Sequence, residues 1–163
     1  MKYLKLEHAI AIHDEIMDLT KGLKGYNKAG IGYLASALEH IQNDDFYPSF
    51  CSKLAHLMFS CIKFHPFNDG NKRTSIYLGM HFLVMNGYCY NNFASTSLED
   101  MVVQVAEGTI DKADLQVFLE QHLQSLKQDK TPALDSDLHN GYSQDSSTPQ
   151  HKEFSTPFKG RSR

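Results

Sequence analysis

The chain has 163 residues, 41% hydrophobic and 21% charged, with a formal net charge of −3. That is enough chain to bury a core without disulfide or metal staples, and the charge balance argues against a protein that binds nucleic acid through bulk electrostatics. No stretch reaches the roughly 18 apolar residues of a membrane span. The opening Met-Lys-Tyr-Leu-Lys-Leu-Glu-His lacks the apolar run of a signal peptide, so a soluble, unexported protein is expected.

Helical spacing runs nearly throughout. Leu6, Ile10, Ile12, Ile16, Met17 and Leu19 recur on a helical period until Gly22 and Gly25 break it. Ile31, Leu34, Ala35, Leu38 and Ile41 form a second amphipathic stretch. Pro48 suits the first turn of a third helix, where a missing N–H costs nothing, and Phe50, Leu54, Leu57, Met58, Cys61 and Ile62 give that helix one apolar face. It should end at His65-Pro66, because the residue before proline is pushed out of helical angles. Residues 76–85 are apolar almost all round, which predicts a helix buried on most sides, with Gly79 at a close packing point and Gly87 as its stop. Thr96-Ser97-Leu98-Glu99 reads as a capping box opening a fifth helix that Gly108 closes. Asp111 caps a sixth, with Leu115, Phe118, Leu119, Leu123 and Leu126 inward. The expectation is an all-α bundle of about six helices around a buried central helix, in one domain over residues 1–126.

Beyond that point the composition changes. Residues 127–163 hold only six from the hydrophobic set, too few to offset the entropy of ordering, so they read as a disordered tail. Its basic end, Lys159, Arg161 and Arg163, is a candidate contact for nucleic acid or an acidic partner, the less favoured reading of that segment. Cys51, Cys61 and Cys89 are an odd count without Cys-x-x-Cys spacing. Cys51 and Cys61 would lie about 15 Å apart along one helix, which predicts reduced thiols.

Chemistry concentrates in His65-Pro66-Phe67-Asn68-Asp69-Gly70-Asn71-Lys72-Arg73-Thr74. One helix stops at His65, a polar loop turns, and the next helix begins near Asn71. A helix start offers unbonded N–H groups and a partial positive charge to an anion. Gly70 lets backbone approach a ligand. Lys72 and Arg73 oppose the helix dipole there, an arrangement that a phosphate rationalises and helix stability does not. Asp69 is a hard oxygen ligand suited to Mg²⁺, which takes one or two carboxylates plus substrate phosphates. His65 could accept the proton of an attacking hydroxyl. Together they make a phosphoryl-transfer set. Asn68 and Thr74 read as structural polar residues; Tyr77 and His81, four apart on the same helix, could border the site but read first as packed positions. His8 and His13, five apart, share no helix face and make no metal pair.

The same segment resembles the Fic motif, His-x-Phe-x-Asp/Glu-Gly-Asn-Gly-Arg-x-x-Arg, in the form found in the death-on-curing (Doc) branch, where the run reads Asn-Lys-Arg-Thr. The likeness extends over roughly residues 3–123, through Tyr3-Leu4 to Ile12-His13, Ala35-Ser36-Ala37-Leu38, and Phe82-Leu83 to Asn86-Gly87-Tyr88. The resemblance implies roles for matched positions: His65 as general base, Asp69 as Mg²⁺ ligand, and Gly70, Asn71, Lys72 and Arg73 as the ATP phosphate cradle. Lys72 and Arg73 would also be catalytic, and Pro66 and Phe67 would shape the loop, with Phe67 turned inward.

Lys72 replaces the motif's second glycine and Ile76 its second arginine. Fic proteins with the full motif move AMP onto a hydroxyl; the Doc form, which shares the lysine, holds ATP reversed and moves its γ-phosphate. The implied activity is a protein kinase acting on elongation factor Tu, as the cytoplasmic toxin of a bacterial toxin–antitoxin module that inhibits translation. AMP transfer and a catalytically inactive interaction module stay open as alternatives. No glutamate sits in the Ser/Thr-x-x-x-Glu-Gly/Asn pattern that holds some Fic proteins off: Glu99 is followed by Asp100, and Glu107 has Val103 four residues earlier. Inhibition in trans by a Phd-like antitoxin is therefore the expectation, with no direct nucleic-acid or membrane partner.

Overall fold

The structure, a computed structural model, describes the backbone of residues 1–128 and the side chains of residues 1–125. It contains α1 (Leu6–Thr20), α2 (Lys28–His40), α3 (Phe50–Lys63), α4 (Asn71–Met85), α5 (Thr96–Glu107) and α6 (Lys112–Gln128). The extended pairing among the described residues is an isolated antiparallel bridge between Tyr26 and Phe67. The expected all-α bundle is what forms. No helix among the described residues is long and apolar enough to cross a membrane. Helix α6 runs to Gln128, two residues into the tail expected from Lys127; the rest of that tail and the inward side chain expected at Leu126 lie outside the described residues.

Helix ends explain where the periods stop. Asn27 caps α2 by accepting from Gly30 N, and Ser49 caps α3 by accepting from Ser52 N. Pro48 therefore stands just before the cap and not in the first turn as expected; the serine hydroxyl reaches an unbonded N–H, which a proline ring cannot do. Likewise Ser95, not Thr96, caps α5, accepting from Leu98 N, so the expected box with Glu99 does not form. Asp111 and Asp114 cap α6 reciprocally, each carboxylate accepting the other's backbone N–H at 3.0 Å.

Packing centres on α3 and α4. Helix α3 lies against α2, α4, α5 and α6, and α4 against α1, α3 and α5. Leu54, Leu57, Met58 and Ile62 of α3 are fully buried with Leu78, Phe82 and Leu83 of α4. Each such side chain contributes on the order of 1.5–3 kcal/mol relative to exposure. Where α4 passes closest to its neighbours stands Gly79: a Cβ there would sit 3.1 Å from Met58 Sδ and from Phe93 Cε1. The apolar run of α4 is not wholly enclosed, since Val84 and His81 reach solvent. His81 thus departs from its expected packed position; its ring stays polar and bonds Tyr77 O at 2.9 Å. Leu19, expected on the inner face of α1, is also exposed; it stands in the last turn of that helix.

One core position is charged. Lys53 of α3 is 1% exposed, donating through Nζ to Ile41 O and to Asp44 Oδ1 at 2.8 Å. Its stem packs in the core while its ammonium is matched by both oxygens. Cys51 and Cys61 both lie on α3, and burial pushes the Cys61 thiol strongly up, keeping it protonated.

Candidate active site

The segment between α3 and α4 is built as a tight turn. Phe64 ends α3, and His65 follows with φ 45°, an uncommon angle for a side-chain-bearing residue. The His65 side chain is exposed. The next residues run extended: Asn27 N donates to Pro66 O at 3.0 Å, and Asn68 N donates to Gly25 O at 3.0 Å. Asn27 Nδ2 also donates to His65 O, while its Oδ1 caps α2. One amide thereby ties the start of α2 to the His65 turn. Gly30, in the first turn of α2, leaves room for this, since a Cβ would press on Phe64 O and His65 O.

Phe67 is 2% exposed and stacks flat on the His13 ring of α1, centroids 3.9 Å apart. Its backbone is held by Asn71: Phe67 N donates to Asn71 Oδ1 at 2.9 Å, and Asn71 Nδ2 donates to Phe67 O at 2.8 Å. The loop therefore closes on the first residue of the helix it precedes.

Asp69 is exposed, and its Oδ2 accepts from Leu23 N at 3.1 Å. Its backbone oxygen accepts from His13 Nε2 at 2.9 Å. Gly70 caps α4 with φ 72° and no side-chain hydrogen bond, so the first-turn N–H groups are not taken by a capping side chain as they are in α2, α3 and α5. A side chain at Gly70 would meet both the left-handed backbone and Met17, which fills the space behind it. Lys72 is exposed in that first turn. Arg73 is partly buried and donates through Nη1 to Thr20 Oγ1 at 2.6 Å; that hydroxyl in turn donates to Ile16 O. Ile76, one turn on, is 3% exposed and part of the core.

The structure thus brings His65, Asp69, Gly70, Asn71, Lys72 and Arg73 to one turn and one helix start. No group of three or more His, Cys, Asp or Glu side chains is poised as a metal cage among the described residues. A lone exposed carboxylate beside open helix N–H groups suits Mg²⁺, which is commonly held by one or two carboxylates and substrate phosphates. Residues outside the motif complete the arrangement: His13, Met17, Thr20, Leu23 and Asn27. Of these, only His13 left a sequence signal, a polar residue on the Ala9–Ile12–Ile16 face of α1.

Comparison with known proteins bears on the family. A profile described as the Fic/DOC family matches residues 3–83. The protein kinase doc of Escherichia phage P1 is 30% identical over 115 residues, covering 68% of this chain and 86% of that protein.

Proposed function

This chain belongs to the Fic/DOC family, and on that premise we propose that it is a Doc-like protein kinase. It moves the γ-phosphate of ATP onto a protein hydroxyl, with elongation factor Tu as the target, and arrests growth as the toxin of a toxin–antitoxin pair. The observation that carries this reading is the start of α4. Its N–H groups have no capping side chain, Lys72 and Arg73 stand in its first turn, and Asp69 precedes it. Such a mouth suits triphosphate and Mg²⁺.

Each residue then has a task. His65, exposed on its own turn, accepts the proton of the incoming hydroxyl. Asp69 would hold Mg²⁺, which when bound neutralises charge on the phosphates. Gly70 and Asn71 would offer backbone N–H groups, and Lys72 its ammonium, to phosphate oxygens at the helix start, the Asn71 side chain being tied to the Phe67 backbone. Arg73, oriented through Thr20, stabilises charge that develops on the transferred group. Pro66 and Phe67 hold the turn.

The choice of γ-phosphoryl over AMP transfer rests on positions 72 and 76. A lysine side chain occupies the glycine position of the AMP-transferring motif, and its second arginine is here a buried isoleucine that carries no charge to the mouth. The test is intact-mass spectrometry of elongation factor Tu after incubation with the chain, ATP and Mg²⁺. A gain of about 80 Da is the expected result and about 329 Da would mean AMP transfer. His65→Ala and Asp69→Ala should both abolish growth arrest in cells; undiminished toxicity in both would leave an inactive interaction module. Co-expression of a Phd-like antitoxin should restore growth.

A further inference from the structure

We propose that His13 is a positioning residue that locks the Asp69–Gly70 peptide in the orientation the phosphate mouth needs; the inference rests on the proposed roles of Asp69 and the α4 start. His13 is completely buried on α1, 56 residues from its partner in sequence. Its Nε2 lies 2.9 Å from Asp69 O. A backbone carbonyl only accepts, so Nε2 carries a hydrogen and donates it. The opposite ring nitrogen, Nδ1, is 3.3 Å from Asp14 Oδ1. Flat stacking on Phe67, with 5° between the rings, fixes the ring plane.

The consequence follows from peptide geometry. The unit joining Asp69 to Gly70 is planar and trans, so its carbonyl and its N–H point in opposite directions. Anchoring Asp69 O on α1 therefore turns the Gly70 N–H away from His13. The same anchor sets the Asp69 Cα, from which the carboxylate reaches Leu23 N. Gly70, at φ 72°, has the freedom to let this peptide flip, and the His13 bond removes that freedom. Packing alone would not select histidine, because a phenylalanine could stack on Phe67 equally well. Only a donor holds the carbonyl.

Two variants separate the donor from the ring. His13→Phe keeps the stack and deletes the donor; His13→Gln deletes the ring and keeps an N–H at about the distance of Nε2. The full chain would be titrated with Mn²⁺ in the presence of the non-hydrolysable analogue AMPPCP, bound Mn²⁺ being read by electron paramagnetic resonance. His13→Phe should weaken Mn²⁺ binding by about tenfold or more, as loss of a supporting partner behind a metal ligand does elsewhere, with His13→Gln largely restoring it. Binding by His13→Phe within about twofold of wild type, or equal losses in both variants, would overturn the proposal. Asp69→Asn is run beside them. If it binds Mn²⁺–AMPPCP like wild type, the metal role of Asp69 falls and the His13 proposal with it. If it loses binding while His13→Phe keeps it, the His13 proposal alone falls. Nitrogen-15 NMR of the wild-type imidazole decides the matter without any variant: a protonated Nε2 is expected, and an unprotonated Nε2 refutes the bond.

Discussion

Replacing Asn71 by alanine removes both hydrogen bonds that hold the backbone of Phe67. Phe67 is 2% exposed, so its N–H and C=O would not easily find water in exchange. A typical protein hydrogen bond contributes a net of about 0.5–1.5 kcal/mol, and leaving a buried partner unmatched costs about 1–3 kcal/mol. Asn71 itself is partly exposed, which allows some rehydration on its side. The expected loss is therefore about 2–3 kcal/mol, the lower part of the summed range. Urea denaturation followed by circular dichroism measures it directly as a fall in midpoint at constant slope. Asn71→Asp is the informative control. It keeps the acceptor for Phe67 N but turns a second oxygen toward Phe67 O, so it should lose at least as much stability as alanine despite its closer shape. A loss below about 0.5 kcal/mol for Asn71→Ala would refute the claim that this side chain holds the turn closed.

Gly70→Ala should cost about 1–2 kcal/mol from the left-handed backbone alone, and more from the overlap with Met17; combining it with Met17→Ala in the same denaturation assay should relieve only the overlap. Gly79→Ala places a methyl 3.1 Å from Met58 and Phe93, so overpacking should lower stability by about 1–3 kcal/mol while leaving the proposed phosphotransfer intact. His56, its ring tilted against that of Tyr47, has its pKa pushed down to about 4 by burial and then by the charges of Lys112 and His40. The unfolded chain binds that proton near pH 6.5 and the folded chain only near 4, so this group contributes a stability that is lost as pH falls through that window. His56→Phe should flatten the acid side of the stability–pH curve, and an unchanged curve would contradict the shift.

The helices were legible because their cores repeat on a local period, and Gly108 and Asp111 end and begin helices where their chemistry suggests. The errors fall at caps and at two side chains, Leu19 and His81, that reach solvent. Pro48 and Thr96 each stand next to the serine that does the capping, and which of two adjacent residues turns its oxygen onto an N–H is decided by the path of the incoming chain. The candidate site shows the same division. His65 through Arg73 are contiguous and chemically distinctive, so they can be read in a line. The contacts of His13, Thr20, Leu23 and Asn27 with that segment are tertiary and leave no spacing to read. Lys53 is the clearest example in the core, since nothing local marks a lysine whose ammonium is matched by Ile41 O and Asp44.

Those tertiary ties make the reactive turn a late product of folding. Its anchors to Asn27, Leu23, Thr20 and His13 close chain separations of 38, 46, 53 and 56 residues, so the turn cannot take shape until the N-terminal helices have docked. With the proposed function, a chain assembled this way should be inert while nascent or partly unfolded, even when its signature segment is intact. Backbone amides around the turn should exchange with solvent at the pace of global opening, not with the fast fraying of an ordinary surface loop.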